Sequence, residues 1–378
     1  PATREGPRLT ELAVQTSSYG TQIPKLFGTI RVAGIVIWAT DLIETRTTSG
    51  GSKGQPSSAA YSYSANFAVL LSARAIRGVG RIWAEGKLLR GAAGDWKTTT
   101  GFRLHLGGED QTPDPLIASA DPTTPAYRGC AYAVFEGLHL ADFGNRIPSM
   151  TFEVIADEGA VAAGAIAMAL AEEVDADVAQ MLDGYAAAGE SVAGVLDSLA
   201  LLSGAWWSPA GGRIAMIDRA GAAVSVVDDA MAIDGRAGAR VPAQRRRTRA
   251  AIETVPRTLA VAHHDPARDY QIGVQRAVRP GAGARAMRID LPAVLTSPVA
   301  RSIAERGLAM AETTRTRRTV VTGIGAITIS PGQSITIAGE AGQWRAATVA
   351  VEGMATRIEL VPLTIAPVAG ATDSGRVL

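Results

Sequence analysis

Cysteine is almost missing from the sequence, because Cys130 is the only one among 378 residues. A single cysteine excludes an intramolecular disulfide. Since Cys130 lies on an apolar strand pattern, we expect a small buried hydrophobic residue there. The net charge is also small: the formal value is +1, so no overall attraction to nucleic acid or to an anionic membrane is implied.

Long apolar segments are also missing. The longest apolar run, from residue 159 to 171, is rich in alanine and glycine and ends at Glu172. It is too short for a transmembrane helix, which needs about 20 residues, and no secretory signal pattern is visible. Because the chain begins at Pro1 and not at methionine, we expect it to be a fragment or a processed product of a longer polypeptide.

Residues and motifs that carry catalysis are scarce. The chain has four histidines, and it has neither a Gly-x-Ser-x-Gly elbow nor a dinucleotide-binding glycine pattern. The segment 49–54 (SGGSKG) has the wrong spacing for a phosphate-binding loop, so we predict a flexible loop there. His263 and His264 are neighbours on a predicted strand and point to opposite faces, which disfavours a shared metal ion. We therefore predict no catalytic residues, no metal site and no cofactor.

Two sets of charged residues leave two alternatives open, glycoside hydrolysis and phosphate binding. Four acidic residues could supply the carboxylate pair of a glycoside hydrolase, but their helical spacing favours a solvated acidic face. These residues are Glu172, Glu173, Asp175 and Asp177. Four arginines could bind phosphate, although a solvated linker or a contact with an acidic neighbour is favoured. These residues are Arg245, Arg246, Arg247 and Arg249.

Tryptophans on predicted strands or hairpins leave a third alternative. They could stack on sugars, but we expect anchors of the core or of an interface. These residues are Trp38, Trp83, Trp206, Trp207 and Trp344.

Glycine and proline are plentiful, with 41 and 19 residues, in a chain that is 47% hydrophobic and 19% charged. This composition is typical of a globular, turn-rich chain with many short strands. The patterns predict a mainly β fold with α+β character, in which two β-barrel-like domains flank a small helix-plus-hairpin domain. The predicted boundaries are 1–157 and 241–366 for the β-barrel-like domains, 158–240 for the small domain and 367–378 for a flexible tail.

The stretch from Tyr127 to Ala156 organises the first predicted domain. Residues 131–135 and 150–155 have the composition and alternation of strands, and we expect them to be the closing pair of this domain. A polar segment at 46–60 predicts a mobile hairpin tip. Further strands are predicted at 9–16, at 30–38 with a bulge at Gly34, at 61–71, at 78–89 with a turn at Glu85-Gly86, and at 102–106.

The rest of the chain alternates between helix and strand patterns. Helices are predicted at 160–181, at 191–203 with Ser191 as N-cap and Gly204 as its end, and at 297–314 with Ser297 as its cap. A hairpin is predicted at 205–218 and a hinge at 237–249. Strands are predicted at 258–264, 270–278, 285–291, 320–329, 334–337, 343–351 and 355–363, before a loose tail from residue 366.

Several stretches, taken in order, resemble one family. They are Ser18-Tyr19-Gly20 with Ile23-Pro24, residues 28–31 and 36–38, residues 61–65, residues 80–87, residues 141–148, residues 265–271, residues 331–333 and Trp344-Arg345. They are similar to the hub or tail-tip proteins of long-tailed bacteriophages and gene transfer agents, the group called megatron or host-specificity proteins. The resemblance spans about residues 10 to 365, with one departure at Ala73–Ile76.

The resemblance implies a homotrimeric baseplate hub that closes the distal end of a tail tube. Two β-barrel-like domains per subunit would form a pseudo-sixfold ring, which adapts the sixfold tube to a threefold tip. The expected partners are the distal tail or tube protein, other tip proteins and the central fibre, with DNA passing only as cargo and the host envelope met indirectly. The expected location is the virion tail tip, after assembly in the bacterial cytoplasm.

The family's glycosidase-like region has no match in the chain, so the resemblance implies a protein that is not an enzyme. We expect certain residues to have architectural roles in the first domain, in its closure and in the second domain. They are Tyr19, Ile23, Pro24, Arg31 and Trp38, then Trp83, Asn145 and Arg146, and finally Tyr270 and Trp344.

The main alternative is a cell-wall hydrolase or carbohydrate-binding module of the tail tip, and a weaker one is DNA binding through the arginines at 245–249. A zymogram with peptidoglycan separates the first alternative from a structural role. We expect no clearing by this chain, because its acidic residues show no catalytic arrangement; a cleared band at the size of the chain would contradict the structural hypothesis.

Overall fold

The computed structural model describes residues 4–5, 21–49, 58–228, 246–352, 354–363 and 376–377. The predicted strand at 9–16, the tip of the hairpin at 46–60, most of the hinge at 237–249 and the tail from 366 lie wholly or largely outside these residues. The chain divides into two compact units. Unit 1 is Pro1–Ala160 with Asp183–Ala188, and unit 2 is Val161–Leu182 with Gly189–Leu378. The three-domain division made from the sequence stays a prediction.

The elements as far as residue 160 are mostly strands. They are β1 Arg4–Glu5, β2 Lys25–Ala33, β3 Ile35–Ala39, β4 Ile43–Ser49, β5 Ser58–Ser72, β6 Gly78–Ala84, β7 Lys87–Arg90, β8 Gly101–His105, α1 Pro115–Ala120, β9 Ala131–His139 and β10 Met150–Ile155.

The elements after residue 160 include three more helices. They are β11 Val161–Ala162, α2 Ala163–Leu170, β12 Val174–Asp177, β13 Met181–Leu182, β14 Gly184–Ala187, α3 Val192–Ser203, β15 Trp206–Ala210, β16 Arg213–Ile217, β17 Val224–Val226, β18 Arg246–Arg249, β19 Thr258–Asp265, β20 Gln271–Val278, β21 Ala286–Val294, α4 Ser297–Thr313, β22 Thr316–Gly323, β23 Ser334–Ile337, β24 Trp344–Glu352, β25 Ala355–Pro362 and β26 Arg376–Val377. The predicted mainly β fold with α+β character is confirmed.

Unit 1 is built from two facing sheets. In one, β5 pairs with β3, β4 and β9, and β8 pairs with the far side of β9. In the other, the order is β14-β2-β10-β6-β7. Phe135 of the first sheet lies 6.1 Å from Phe152 of the second, measured between ring centroids, and it stacks on Phe67 at 5.0 Å. Contacts between buried aromatic rings therefore hold the sheets face to face.

Both sheets of unit 1 are open, and the described strands form no closed barrel. The predicted closing pair is wrong in one respect, because β9 and β10 lie in different sheets and do not pair with each other. The predicted hairpin at 78–89 is confirmed: β6 and β7 are antiparallel, and both Glu85 and Gly86 have the positive φ angles that a tight hairpin turn requires.

The long strand predicted at 30–38 is divided at Gly34. Residues before it belong to β2 and residues after it to β3, which lie in different sheets. A Cβ at Gly34 would lie 2.1 Å from Val69 Cγ1 and 2.8 Å from Phe152 Cε2. Gly34 therefore gives the chain a path through the packed core where any side chain would clash.

Unit 2 contains a sheet with the pairing β26-β20-β19-β21, on which α4 packs. A second sheet has the order β17-β23-β24-β25-β22-β18 and encloses an apolar core. A smaller sheet has the order β12-β16-β15, and β11 pairs with β13. The core of the second sheet includes Val320, Ile335, Trp344, Ile358 and Leu360.

The predicted boundaries of α3 and the hairpin after it are confirmed. Ser191 Oγ accepts a hydrogen bond from Gly194 N at 3.2 Å, and Gly204 ends the helix in the left-handed conformation. The predicted cap of α4 is wrong by one residue: Thr296 is the N-cap, and Ser297 Oγ instead donates to Asp265 Oδ2 at 3.2 Å.

Three predicted elements of unit 2 are corrected by strand pairing. The helix predicted at 160–181 is limited to α2, because residues 174–177 pair in parallel with β16. Arg246 to Arg249 are not part of a hinge but form β18, antiparallel to β22. The strand predicted at 320–329 starts earlier and ends at Gly323, followed by a 3-10 turn.

Gly28 offers a test of the packing in unit 1. Its φ angle is +64°, and an added Cβ would lie 2.3 Å from the Asp183 carbonyl oxygen. We expect Gly28→Ala to lower the free energy of unfolding by about 3 kcal/mol, since left-handed strain and overpacking each cost about 1 to 3 kcal/mol. Gly86→Ala is the matched control: its φ is +80° but nothing lies within 4 Å, so about 1 kcal/mol is expected. Urea denaturation measures both variants, and an equal loss of unfolding free energy in Gly28→Ala and Gly86→Ala would contradict this packing.

Candidate functional site

Unit 2 contains a cavity of about 370 Å³, here called the Trp–Arg cavity. Helix α3 ends beside it, strand β15 starts beside it, and α4 and β24 complete its wall. Because Gly204 adopts a left-handed conformation, the chain reverses directly from α3 into β15. The lining residues are Asp197, Ala200, Leu201, Gly204, Ala205, Trp206, Trp207, Arg306, Gly307, Met310 and Arg345.

Trp206 is fixed in place at the cavity wall. Its Nε1 donates to the Gly332 carbonyl oxygen at 3.0 Å, and the neighbouring Ser208 Oγ donates to the Pro331 carbonyl oxygen at 2.7 Å. The guanidinium carbon of Arg345 lies 5.0 Å from the centroid of the Trp206 ring. This geometry is a cation–π contact, which orients the arginine without neutralising its charge.

The two arginines of the cavity are half-buried cations. Arg306 donates to the Leu202 carbonyl oxygen, and it packs so closely on Gly204 that a Cβ there would lie 2.8 Å from Arg306 Nε. Burial lowers the pKa of both Arg306 and Arg345, although each guanidinium stays charged at neutral pH. Among the described residues, neither guanidinium has a carboxylate partner.

One carboxylate lines the same cavity. Asp197 Oδ1 accepts a hydrogen bond from Trp207 Nε1 at 2.9 Å, so this acid is held by an indole and not by an arginine. The cavity thus has an excess of positive charge beside apolar and aromatic walls. Such a site can bind an anionic group, and it contains no nucleophile paired with a base for covalent chemistry.

Among the architectural residues predicted for the first domain, Arg31 and Trp83 come together. Arg31 Cζ lies 3.9 Å from the Trp83 ring centroid, and Arg81 Cζ lies 5.1 Å from it. Arg81 is in turn paired with Glu153 at 2.9 Å. Trp38 lies elsewhere, in the other sheet of unit 1, where it packs beside a separate core cluster.

The remaining architectural residues predicted for the first domain and its closure do not cluster. Ile23 is 39% exposed, and the Pro24 carbonyl oxygen accepts a hydrogen bond from Ala73 N at 2.9 Å. Arg146 forms an ion pair with Glu85 at 2.8 Å, which ties the segment before β10 to the β6–β7 turn. Asn145 has a positive φ of 56°. Tyr19 lies outside the described residues.

Of the two architectural residues predicted for the second domain, Trp344 is buried in the apolar core of the sheet that contains β24. Tyr270 lies in the turn between β19 and β20 with a φ of 62°, and its carbonyl oxygen is 3.0 Å from His264 Nδ1. His263 is buried, and burial lowers its pKa. The two histidines make different contacts, as their places on opposite faces of β19 predict.

The predicted solvated acidic helix face is wrong in its secondary structure. Asp175 and Asp177 lie on β12, and Asp175 forms an exposed ion pair with Arg213 at 2.8 Å. Arg247 and Arg249 lie on β18, and the guanidinium carbon of Arg247 is 6.0 Å from the Trp344 ring centroid. The described members of these two sets do not line the Trp–Arg cavity. Within the described part of the chain, no group of three or more His, Cys, Asp or Glu residues could hold a metal ion.

Cys130 is half-buried and directly precedes β9, so the expectation of a buried cysteine on a strand is wrong. Burial raises the pKa of its thiol. Over the described ranges, no helix is long and apolar enough to cross a membrane.

Asp114 is a buried acid that was not predicted from the sequence. Its side chain is fully buried, and it accepts hydrogen bonds from Leu116 N at 2.9 Å and Arg103 Nε at 2.8 Å, with His105 Nε2 at 2.9 Å. The sequence does carry a signal, because Asp before Pro115 is the pattern of an N-cap followed by a first-turn proline. The cluster anchors α1 to β8.

Two comparisons with known proteins point to one class. A family model described as "Putative phage tail protein" matches residues 191–349. This range includes α3, β15, α4 and the residues that line the Trp–Arg cavity. A solved structure of the virion of a native gene transfer agent particle is similar over 97% of this chain and 91% of that chain, with 25% identity and a TM-score of 0.77. Together these findings support a phage or gene-transfer-agent tail protein.

Two further solved structures align over most of both chains but with low scores. A tail protein from Neisseria meningitidis MC58 covers 89% of this chain and 97% of that chain, at 12% identity and a TM-score of 0.39. A 43 kDa tail protein of prophage MuSo2 from Shewanella oneidensis covers 90% and 98%, at 11% identity and a TM-score of 0.34. These scores are too low to carry an argument. No curated protein matches the chain.

The Asp114 cluster predicts a specific acid dependence of stability. Burial alone raises the pKa of Asp114, but hydrogen bonds from Arg103, His105 and Leu116 outweigh it and hold the pKa at about 2, below the ordinary 3.8. The stabilisation is therefore complete above about pH 4 and is lost as the pH falls towards 2. We expect Asp114→Asn to cost about 2 kcal/mol at pH 7, and urea unfolding curves between pH 2 and 7 measure it.

The exposed Asp121→Asn variant serves as the control for this measurement, because it should keep most of the loss of stability that the parent chain shows at acid pH. If the Asp114→Asn chain kept the parent's free energy of unfolding at pH 7 and lost as much of it below pH 4, the cluster would not be the source of the acid dependence.

Proposed function

We propose that the chain is the hub subunit of a tail tip, a homotrimer that closes the distal end of the tail tube and adapts a sixfold tube to a threefold tip. The observation that carries this proposal is the similarity to the gene transfer agent virion over nearly the full length of both chains. Because that similarity covers both compact units, it favours a role for the whole chain over a role for one grafted module.

In this proposal two β-rich hub domains, 1–157 and 241–366, flank a small domain, 158–240, and a tail follows from 367. Three copies would present six β-rich domains, the number needed to match a sixfold ring. The proposed contacts are with the distal tail or tube protein, other tip proteins and the central fibre. DNA would pass only as cargo, the host envelope would be met indirectly, and assembly would take place in the bacterial cytoplasm.

A hairpin of unit 1 supports the idea of a neighbouring copy. Strand β4 pairs with the first half of β5 from Ser49↔Ser58 to Ile43↔Ser64, whereas β9 pairs with β5 only from Ser64 onwards. Among the described strands, and beyond the short contact of β1 with Ser58 and Ala59, this part is therefore a two-stranded ribbon. A ribbon of this kind is marginally stable in water by itself.

The side chains of β4 that the structure describes are exposed. Ile43 is 41% exposed, and Glu44, Thr45, Arg46 and Thr47 are all exposed. We propose that a second copy of the chain packs on this ribbon in the trimer. An obligate contact of this kind would bury about 2,000 Å² or more in total, to which the ribbon would contribute only a part.

Size-exclusion chromatography with light scattering tests the proposal, and particle imaging locates the protein. We expect a trimer, and we expect copies at the distal tube end. Replacing residues 45–62 by Asn-Gly, which joins Glu44 to Tyr63 through a tight turn, should abolish trimers while leaving unit 1 folded. Replacing only residues 50–57 by Asn-Gly keeps the paired strands and should keep the trimer.

A folded parent chain that stays monomeric at high concentration and is missing from tail particles would overturn the hub proposal. A trimer that survives the 45–62 replacement would overturn only the part assigned to the ribbon.

A further inference from the structure

We propose that the Trp–Arg cavity is a binding site for a carboxylate carried on an apolar stem, as an acidic residue or a chain end of a peptide presents it. This inference concerns unit 2 alone and does not depend on the proposed trimer. Its basis is the juxtaposition of Arg306, Arg345 and Trp206 around an open volume of about 370 Å³.

The charge of the cavity favours an anion. Two half-buried guanidiniums, Arg306 and Arg345, line it without a carboxylate partner among the described residues. Half-buried cations lose part of their hydration, and an anion from outside would restore the lost interaction. The single lining acid, Asp197, already accepts a hydrogen bond from Trp207, so it does not compensate the two positive charges.

The apolar lining favours a carboxylate with hydrocarbon attached to it. Ala200, Leu201 and Met310 share the wall with the Trp206 ring. A cavity of this size is at the lower end of the range of ligand sites, which is about 300 to 1,000 Å³. Inorganic phosphate would use the arginines but would leave these apolar surfaces in water, whereas a glutamate or a terminal leucine would cover them.

The site is also held in shape before any ligand arrives. Arg306 packs against Gly204, where any larger residue would displace its side chain. Trp206 is tied to the Gly332 carbonyl oxygen, and Arg345 lies over the Trp206 ring. Because these donors are already oriented, little side-chain entropy remains to be lost on binding.

Matched peptides test the inference, with the full chain and tryptophan fluorescence or calorimetry as the readout. The probes are Ac-Leu-Glu-Leu-NH2 against Ac-Leu-Gln-Leu-NH2, Ac-Ala-Leu-OH against Ac-Ala-Leu-NH2, and inorganic phosphate. We expect at least one acid to bind at least tenfold more tightly than its amide and more tightly than phosphate. The first pair represents an acidic side chain and the second a chain end, so the tighter acid identifies the source.

Two variants connect the binding to the cavity. Arg345→Gln should weaken the acid at least tenfold, while Arg219→Gln, an exposed arginine of the same unit that does not line the cavity, should change nothing. If Arg345→Gln does not fold, Met310→Glu serves instead: Met310 is 39% exposed on α4, and a carboxylate there would occupy the arginines and block the acid.

Equal binding of acid and amide would overturn the inference, as would phosphate binding as tightly as the acids. Absence of binding by every probe would overturn it too, and so would unchanged binding in folded Arg345→Gln and Met310→Glu chains.

Discussion

Burial of aromatic and aliphatic side chains between open sheets is the constraint on which the structure depends. None of the described sheets closes on itself, so each must cover its apolar face with another layer. In unit 1, Phe135 meets this need, because it contacts Phe67 of its own sheet and Phe152 of the facing one. Gly34 is a consequence of the same packing, since the chain crosses between the layers where there is no space for a side chain.

Buried charge imposes a second constraint. Arg318, almost fully buried, lies 2.9 Å from Asp228 Oδ2 and 2.7 Å from Glu340 Oε1, and Asp114 is held in a comparable way by Arg103 and His105. Clusters of this type add little net stability compared with apolar packing, but removing one member leaves an unpaired charge inside the protein. They therefore specify which strands and turns meet. The arginines of the Trp–Arg cavity differ, because they have no such partner among the described residues.

The tail-protein class and the chemistry of the cavity are compatible. A structural tail protein works through contacts with neighbours, and such contacts use pockets for anchoring side chains as well as broad apolar surfaces. The family match at 191–349 contains α3, β15 and Arg345, all of which form the cavity. The family model describes a phage tail protein and the similar solved structure is a gene transfer agent virion, which is consistent with a role in assembly.

The sequence by itself determined the mainly β class, the helix from Ser191 to Gly204 and the hairpin turn at Glu85-Gly86, because alternation, capping and positive-φ turns depend on neighbouring residues. The ordered resemblance, with stretches such as residues 80–87, likewise indicated the tail-protein class. Only the tertiary structure decided that residues 174–177 form a strand, that β9 and β10 lie in different sheets, and that Arg306 and Arg345 share a cavity. Each of these depends on partners that are distant in sequence, and such pairings leave no local pattern.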